Sequence, residues 1–159
     1  MRKVSGFTLI ELLITVVIVV ILVTIAIPTF GRLITSQNVS SQANEVLSGI
    51  RAARSEALRR NEAVQVNPNG DWTTGFTVDL VSGGETTRAF NEFGSGLTFD
   101  DNNGGSAPGA AALAFDASGT LSSMVTIGME PAGCSSGTED RRVITVLVSG
   151  NSRIETESC

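Results

Sequence analysis

The sequence predicts an α+β protein: one long N-terminal helix, half membrane stem and half amphipathic, packed on an antiparallel β-sheet that ends in a C-terminal hairpin. Three observations carry this. From Phe7 to Phe30 the chain is overwhelmingly apolar and its only charge is Glu11. From Gln42 to Asn61 apolar residues recur at helical spacing. After Asn61 the period falls to two, and turn residues separate nearly all the apolar runs.

The first stretch, residues 7–30, reaches roughly 36 Å as a helix, enough to cross a bilayer. Arg2 and Lys3 before it orient its start toward the cytoplasm. A secretory signal peptide would carry a small-residue cleavage site after the run, but here Ile25-Ala26-Ile27-Pro28-Thr29-Phe30 continues into a polar helical pattern. A plain single-span anchor leaves Glu11 unexplained, since a carboxylate in a spanning helix costs a few kcal/mol without a partner. Gly6-Phe7-Thr8-Leu9-Ile10-Glu11-Leu12-Leu13 instead resembles the leader of the type IV prepilins.

That resemblance implies a leader of residues 1–6, cut by a prepilin peptidase between Gly6 and Phe7, with methylation of the new terminus at Phe7. Glu11 becomes the fifth residue and is expected to pair with the terminal amine of a neighbouring subunit during assembly, which gives the buried charge its partner. Pro28 and Gly31 mark an expected helix break or loosening where the apolar run ends, as in pilin relatives whose helix melts locally in the fibre. Residues 7–30 are then the transmembrane and assembly helix, and residues 31–159 the globular head.

The charge balance divides the chain. Of 159 residues, 11 are basic and 16 acidic, a formal net charge of -5 with no histidine. Residues 31–60 hold five arginines against Glu45 and Glu56, whereas residues 61–159 hold four arginines against thirteen acids, a balance of -9. An acidic head repels polyanions in bulk. The absence of histidine removes the commonest general base, and no nucleophile-base pair, metal cluster or cofactor loop stands out, so neither an enzyme, a cofactor nor a metal is expected.

Within the head, Ala43, Val46, Leu47, Ile50, Ala53, Ala57 and Leu58 form the apolar stripe of the amphipathic half-helix 42–61, expected to cover the sheet. Candidate strands follow at 63–66, 76–81, 87–90, 97–99, 113–115, 124–129 and 143–148, the last joined through Ser149-Gly150-Asn151 to 153–156. Asn69-Gly70 and Ser82-Gly83-Gly84 are further hairpin signals. Trp72, the sole tryptophan, is expected as a core or sheet-edge anchor. Asp100-Asp101-Asn102-Asn103-Gly104-Gly105-Ser106 lacks the alternate ligand spacing of a calcium loop and reads as a surface loop. Cys134 and Cys159 suit an exported protein with one disulfide, two unpaired thiols being the alternative.

Three further stretches carry a second resemblance. Ala53-Arg54-Ser55-Glu56-Ala57, Gly70-Asp71-Trp72-Thr73-Thr74-Gly75-Phe76 and Phe115-Asp116-Ala117-Ser118-Gly119 are similar, in order, to motifs of the GspH/FimT (FimT/FimU-like) family of type IV minor pilins. This implies the type IV pilin fold and a structural subunit of a pilus or its priming or tip complex. Its partners would be other major and minor pilins, prepilin peptidase, the inner-membrane platform and, before assembly, the lipid bilayer. It would sit in the bacterial inner membrane as a single-pass protein with its head in the periplasm, then on the pilus at the cell surface. A minor pseudopilin of type II secretion is the alternative within the class. A pilus-tip DNA receptor is the alternative outside it, but Gly150-Asn151-Ser152-Arg153 keeps only one arginine of the Gly-Arg-x-Arg motif of such receptors.

Overall fold

The computed structural model describes residues 7–91, 93, 96–102, 105–109, 113–134 and 141–159. The chain divides into two compact units, Met1–Ser36 and Gln37–Cys159. Helix α1 runs over Leu9–Arg60, 52 residues. In the first unit its Leu9–Ile27 stretch has a mean hydropathy of 3.1 and is long and apolar enough to cross a membrane. Pro28 and Gly31, where a break or loosening is expected, both lie within the span of this helix.

Among the described residues of the second unit eight strands follow: β1 Val64–Pro68, β2 Phe76–Leu80, β3 Thr86–Phe90, β4 Leu97–Asp100, β5 Ala114–Phe115, β6 Val125–Pro131, β7 Arg141–Val146 and β8 Ser152–Glu157. They form two four-stranded antiparallel sheets, ordered β3-β2-β1-β5 and β4-β6-β7-β8. The expectation of an antiparallel sheet with a C-terminal hairpin holds, with a division the alternating pattern does not reveal. Alternation identifies a strand and its buried face, but not its partner. Thus β5 returns to pair with β1, Val64 opposite Phe115, and β4 pairs with β6.

One core unites helix and sheets. Val39, Ala43, Val46, Leu47, Ile50, Ala53 and Ala57 of α1 are buried, and all but Val39 share a cluster with Val64, Val66, Phe76, Val78, Phe115, Ile127, Met129, Ile144 and Val146. Leu58, expected on the stripe, is instead 52% exposed and lies at the edge of the contact, close to Gly119. The stripe has a glycine in it for a steric reason. A Cβ on Gly49 would stand 2.3 Å from the Phe76 ring, so the backbone itself is the packing surface there.

Trp72 is 2% exposed and anchors the other side of the core. It opens a short 3-10 turn, Trp72–Thr74, capped by the Asp71 side chain, which accepts from Thr73 N at 3.0 Å. Its indole Nε1 donates to the Pro108 carbonyl at 2.8 Å, and its ring lies 5.5 Å from Phe76 and 6.1 Å from Phe99 between centroids. Asn69-Gly70 therefore opens a longer β1-β2 connection containing this turn, not a two-residue hairpin.

Candidate functional site

Two places bring together residues of the motifs read in the sequence, the leader motif in one and the motifs of the head in the other. The first is the start of α1. Gly6 lies outside the described residues. Phe7 is exposed and precedes the helix, and Glu11 stands in its first turn. Thr8 and Glu11 form a reciprocal pair: Thr8 N and Thr8 Oγ1 donate to Glu11 Oε2 at 3.4 and 3.3 Å, while Glu11 N donates to Thr8 Oγ1 at 3.3 Å. This is a capping box, which satisfies donors that a helix start leaves free. The signal, Thr followed three residues later by Glu before an apolar run, is legible in the sequence, but the leader resemblance drew attention to Glu11 alone.

The second place lies in the head, where residues distant in sequence converge on one arginine. From α1, Arg54 Nε donates to the Gly119 carbonyl at 3.1 Å, Nη1 to Asn151 Oδ1 at 2.9 Å and Nη2 to the Ser149 carbonyl at 2.8 Å. The two turns it joins are packed backbone to backbone. A Cβ on Gly150, which has φ +78°, would stand 2.1 Å from the Gly119 carbonyl oxygen. Asp116 holds the first turn, accepting from the Ser118 and Thr120 hydroxyls and from both their backbone amides. Those bonds, the Ser118 hydroxyl foremost, hold its carboxyl well below the ordinary carboxylate range. Next to Arg54, Glu56 bonds Arg59 first and Arg60 second, and together they lower its pKa to about 2.

Sheet β4-β6-β7-β8 carries its own charge cluster. Arg141 pairs with Asp100 and Glu130, each at 2.6 Å, and donates to Asn102 Oδ1 at 2.9 Å. Burial opposes its charge, but the two carboxylates outweigh that and raise its pKa. Gly128 leaves the room, since a Cβ there would stand 2.3 Å from both the Arg141 guanidinium and Asp100. Asp100, the first residue of the stretch expected as a surface loop, is thus the last residue of β4 and engaged in an ion pair. Cys134 and Cys159 form a disulfide, with Cα atoms 5.7 Å apart.

The stretch weighed as a nucleic-acid motif is mostly occupied. Asn151 serves Arg54, and Ser152 accepts from Arg51. Arg153 is exposed, with Glu155 at 3.4 Å.

A prepilin-like leader, a stem long enough to span a bilayer, and a head in which the same helix packs on antiparallel sheets define a type IV pilin-like subunit. The chain belongs to the GspH family: the model described as type II transport protein GspH matches residues 42–151, and the prokaryotic N-terminal methylation motif matches residues 1–27. This is a family of structural minor pilins and pseudopilins, membrane-anchored through the N-terminal helix and associated with other pilins and the prepilin-processing machinery. Two crystal forms of the type IV minor pilin FimU from Pseudomonas aeruginosa strain PAO1 share the fold. One is 22% identical, with TM-score 0.57, 76% of this chain and 89% of that one covered; the other is 23% identical, with TM-score 0.53 and coverage of 73% and 91%. No curated protein matches the chain.

Proposed function

We propose that the chain is a minor pilin, a structural subunit of a type IV pilus or of its priming or tip complex, and not an enzyme. Prepilin peptidase cuts between Gly6 and Phe7 and methylates Phe7. The stem of residues 7–30 waits in the inner membrane with the head of residues 31–159 in the periplasm, until the inner-membrane platform and neighbouring pilins take it into the fibre at the cell surface. Glu11 then meets the amine of a neighbour, and the helix around Pro28 loosens in the fibre. The observation that carries this is the leader motif placed directly before a helix whose first part is apolar enough to span a bilayer and whose second part is core to the head.

The test has two measurements. Mass spectrometry of the mature chain should find methylated Phe7 at the terminus, and Gly6→Leu should leave an uncleaved precursor in the membrane. The mature protein should co-purify with major pilins in sheared fibres. Any other terminus would sink the leader assignment.

One observation supports a second reading: the matching family model carries the name of a type II transport protein, so a pseudopilus is the alternative machine. Cross-linked partners that are secretion components and not pilins would decide for it. The DNA-receptor reading has weaker support, since Arg153 is the only arginine of its motif and has an acidic neighbour.

A further inference from the structure

Where the flank of the amphipathic half-helix meets strands β2 and β3 lies a groove that the stem, the disulfide and the Arg54 clamp do not use. Arg51, Arg59 and Arg60 of α1 and Arg88 of edge strand β3 line it, with a volume of about 570 Å³, and Glu56 is the one carboxylate among its lining residues. Four cations and one anion give it a charge of +3 in a chain of net -5. The register of β3 against β2 sets Arg88 opposite Val78, on the side of the sheet that faces the helix.

The cations differ in their freedom. Glu56 engages Arg59 at 3.0 Å and Arg60 at 2.5 Å, and Arg60 also stands 3.6 Å from Glu85. Arg51 and Arg88 have no carboxylate partner among the described residues. Arg51 reaches only the hydroxyl and carbonyl oxygens of Ser152, both at 3.4 Å, and the Arg88 guanidinium lies 6.0 Å from the Phe90 ring centroid. Both side chains are exposed, and a planar guanidinium is suited to a two-pronged grip on a carboxylate.

We propose that this groove docks an acidic segment of a neighbouring pilin head, whose carboxylates are taken by Arg51 and Arg88. The inference rests on the minor-pilin reading. Two features favour a protein segment over a nucleic acid. Arg51 to Arg60 spans only about 14 Å of helix, room for a few side chains but a short track for a phosphate backbone. The -9 balance of residues 61–159 repels an extended polyanion, whereas it tolerates a few carboxylates confined to the groove. Exposed ion pairs are weak individually, yet a neighbour tethered in the same fibre meets them at high effective concentration.

The test uses the full chain at native expression, comparing the share recovered in sheared fibres with the share left in the membrane. Arg51→Glu and Arg88→Glu should each lower the fibre share about tenfold, Arg88→Gln less, while cleavage and membrane level stay as in the wild type. Arg153→Glu, outside the groove, should leave the share unchanged. A photo-cross-linker at position 88 should capture an acidic segment of another pilin, and lysines in that segment should restore Arg88→Glu. Wild-type recovery of both glutamate variants, no cross-link, or a cross-link to DNA alone would overturn the proposal. Absence of the wild-type chain from fibres would overturn the minor-pilin reading itself, and this inference with it.

Discussion

Arg54 and Asn151 stand 97 residues apart in sequence and 2.9 Å apart in space, and the bond between them ties the helix to the tip of the C-terminal hairpin. With the bonds to Gly119 and Ser149, one guanidinium satisfies two turns at once. Among the described residues, every one of the buried apolar core lies at Val39 or beyond, so a fragment from residue 31 should fold alone and serve for stability measurements. In it Arg54→Ala should cost about 1.5 to 3 kcal/mol, the range for hydrogen bonds involving a charged group. Arg54→Lys should recover less than half, because one ammonium cannot reproduce a three-way fork. Urea unfolding decides it, and an unchanged midpoint for the alanine variant would remove the clamp from the account.

Gly49 sets two effects against each other. Alanine there should help an α-helix by about 1 kcal/mol through propensity alone. Yet its Cβ would meet Phe76 at 2.3 Å, and Phe76 is fixed in turn by stacking on Phe90 with centroids 4.4 Å apart. Overpacking costs about 1 to 3 kcal/mol, so packing should win and Gly49→Ala should be less stable than the wild-type head. A raised melting temperature would show that the ring can yield.

Much of this was legible beforehand because it depends on local pattern. The apolar run 7–30, the stripe through Ala43, Ile50 and Ala57, and the eight strands are all periodic signals, and the strands lie within about two residues of their expected limits. What was not legible depends on pairing across long separations. Nothing in Leu113-Ala114-Phe115 states that it returns to Val64, and nothing in Arg54 states that it reaches Asn151. Leu58 shows the limit of periodicity: it has the right spacing for the core, yet it is half exposed and lies beside Gly119.

Acid should loosen the head in a definite window. Glu56 and Asp116 both have carboxyls held below their ordinary pKa, so each contributes stability above its unfolded value and loses it as pH falls toward its folded one. For Glu56 that window runs from 4.5 down to about 2. Stability should be nearly level from pH 7 to about 5 on this account and fall below it. Glu56→Gln should flatten part of the fall, and an identical acid profile for that variant would assign the loss elsewhere.

Reduction should act on the end of the chain. The disulfide spans a separation of 25 residues and in the chain-entropy picture contributes about 3 to 4 kcal/mol. Strand β8 is also held by its full register against β7, from Arg141 opposite Glu157 to Val146 opposite Ser152. The reduced head should therefore melt earlier while keeping the β7-β8 hairpin. Hydrogen exchange after reduction should protect Ile154 as before, and its loss would show that the bridge and not the ladder holds the strand.

Glu11 brings two roles into one side chain that substitution can separate. Its carboxylate caps the helix through Thr8, and under the assembly reading it also supplies the charge that meets a neighbour's terminal amine. Glu11→Leu removes both, and should insert at least as well as wild type because a costly intramembrane charge is gone. Glu11→Gln retains an oxygen for Thr8, as a capping box allows, but no charge. If charge recruits the subunit, both variants should be cleaved and methylated normally yet fall about tenfold in sheared fibres. If the cap is what assembly requires, Glu11→Gln should assemble like the wild type and Thr8→Val should fail with Glu11→Leu. Quantifying the four chains side by side in membrane and fibre fractions separates the two roles, and equal recovery of all four would withdraw Glu11 from assembly altogether.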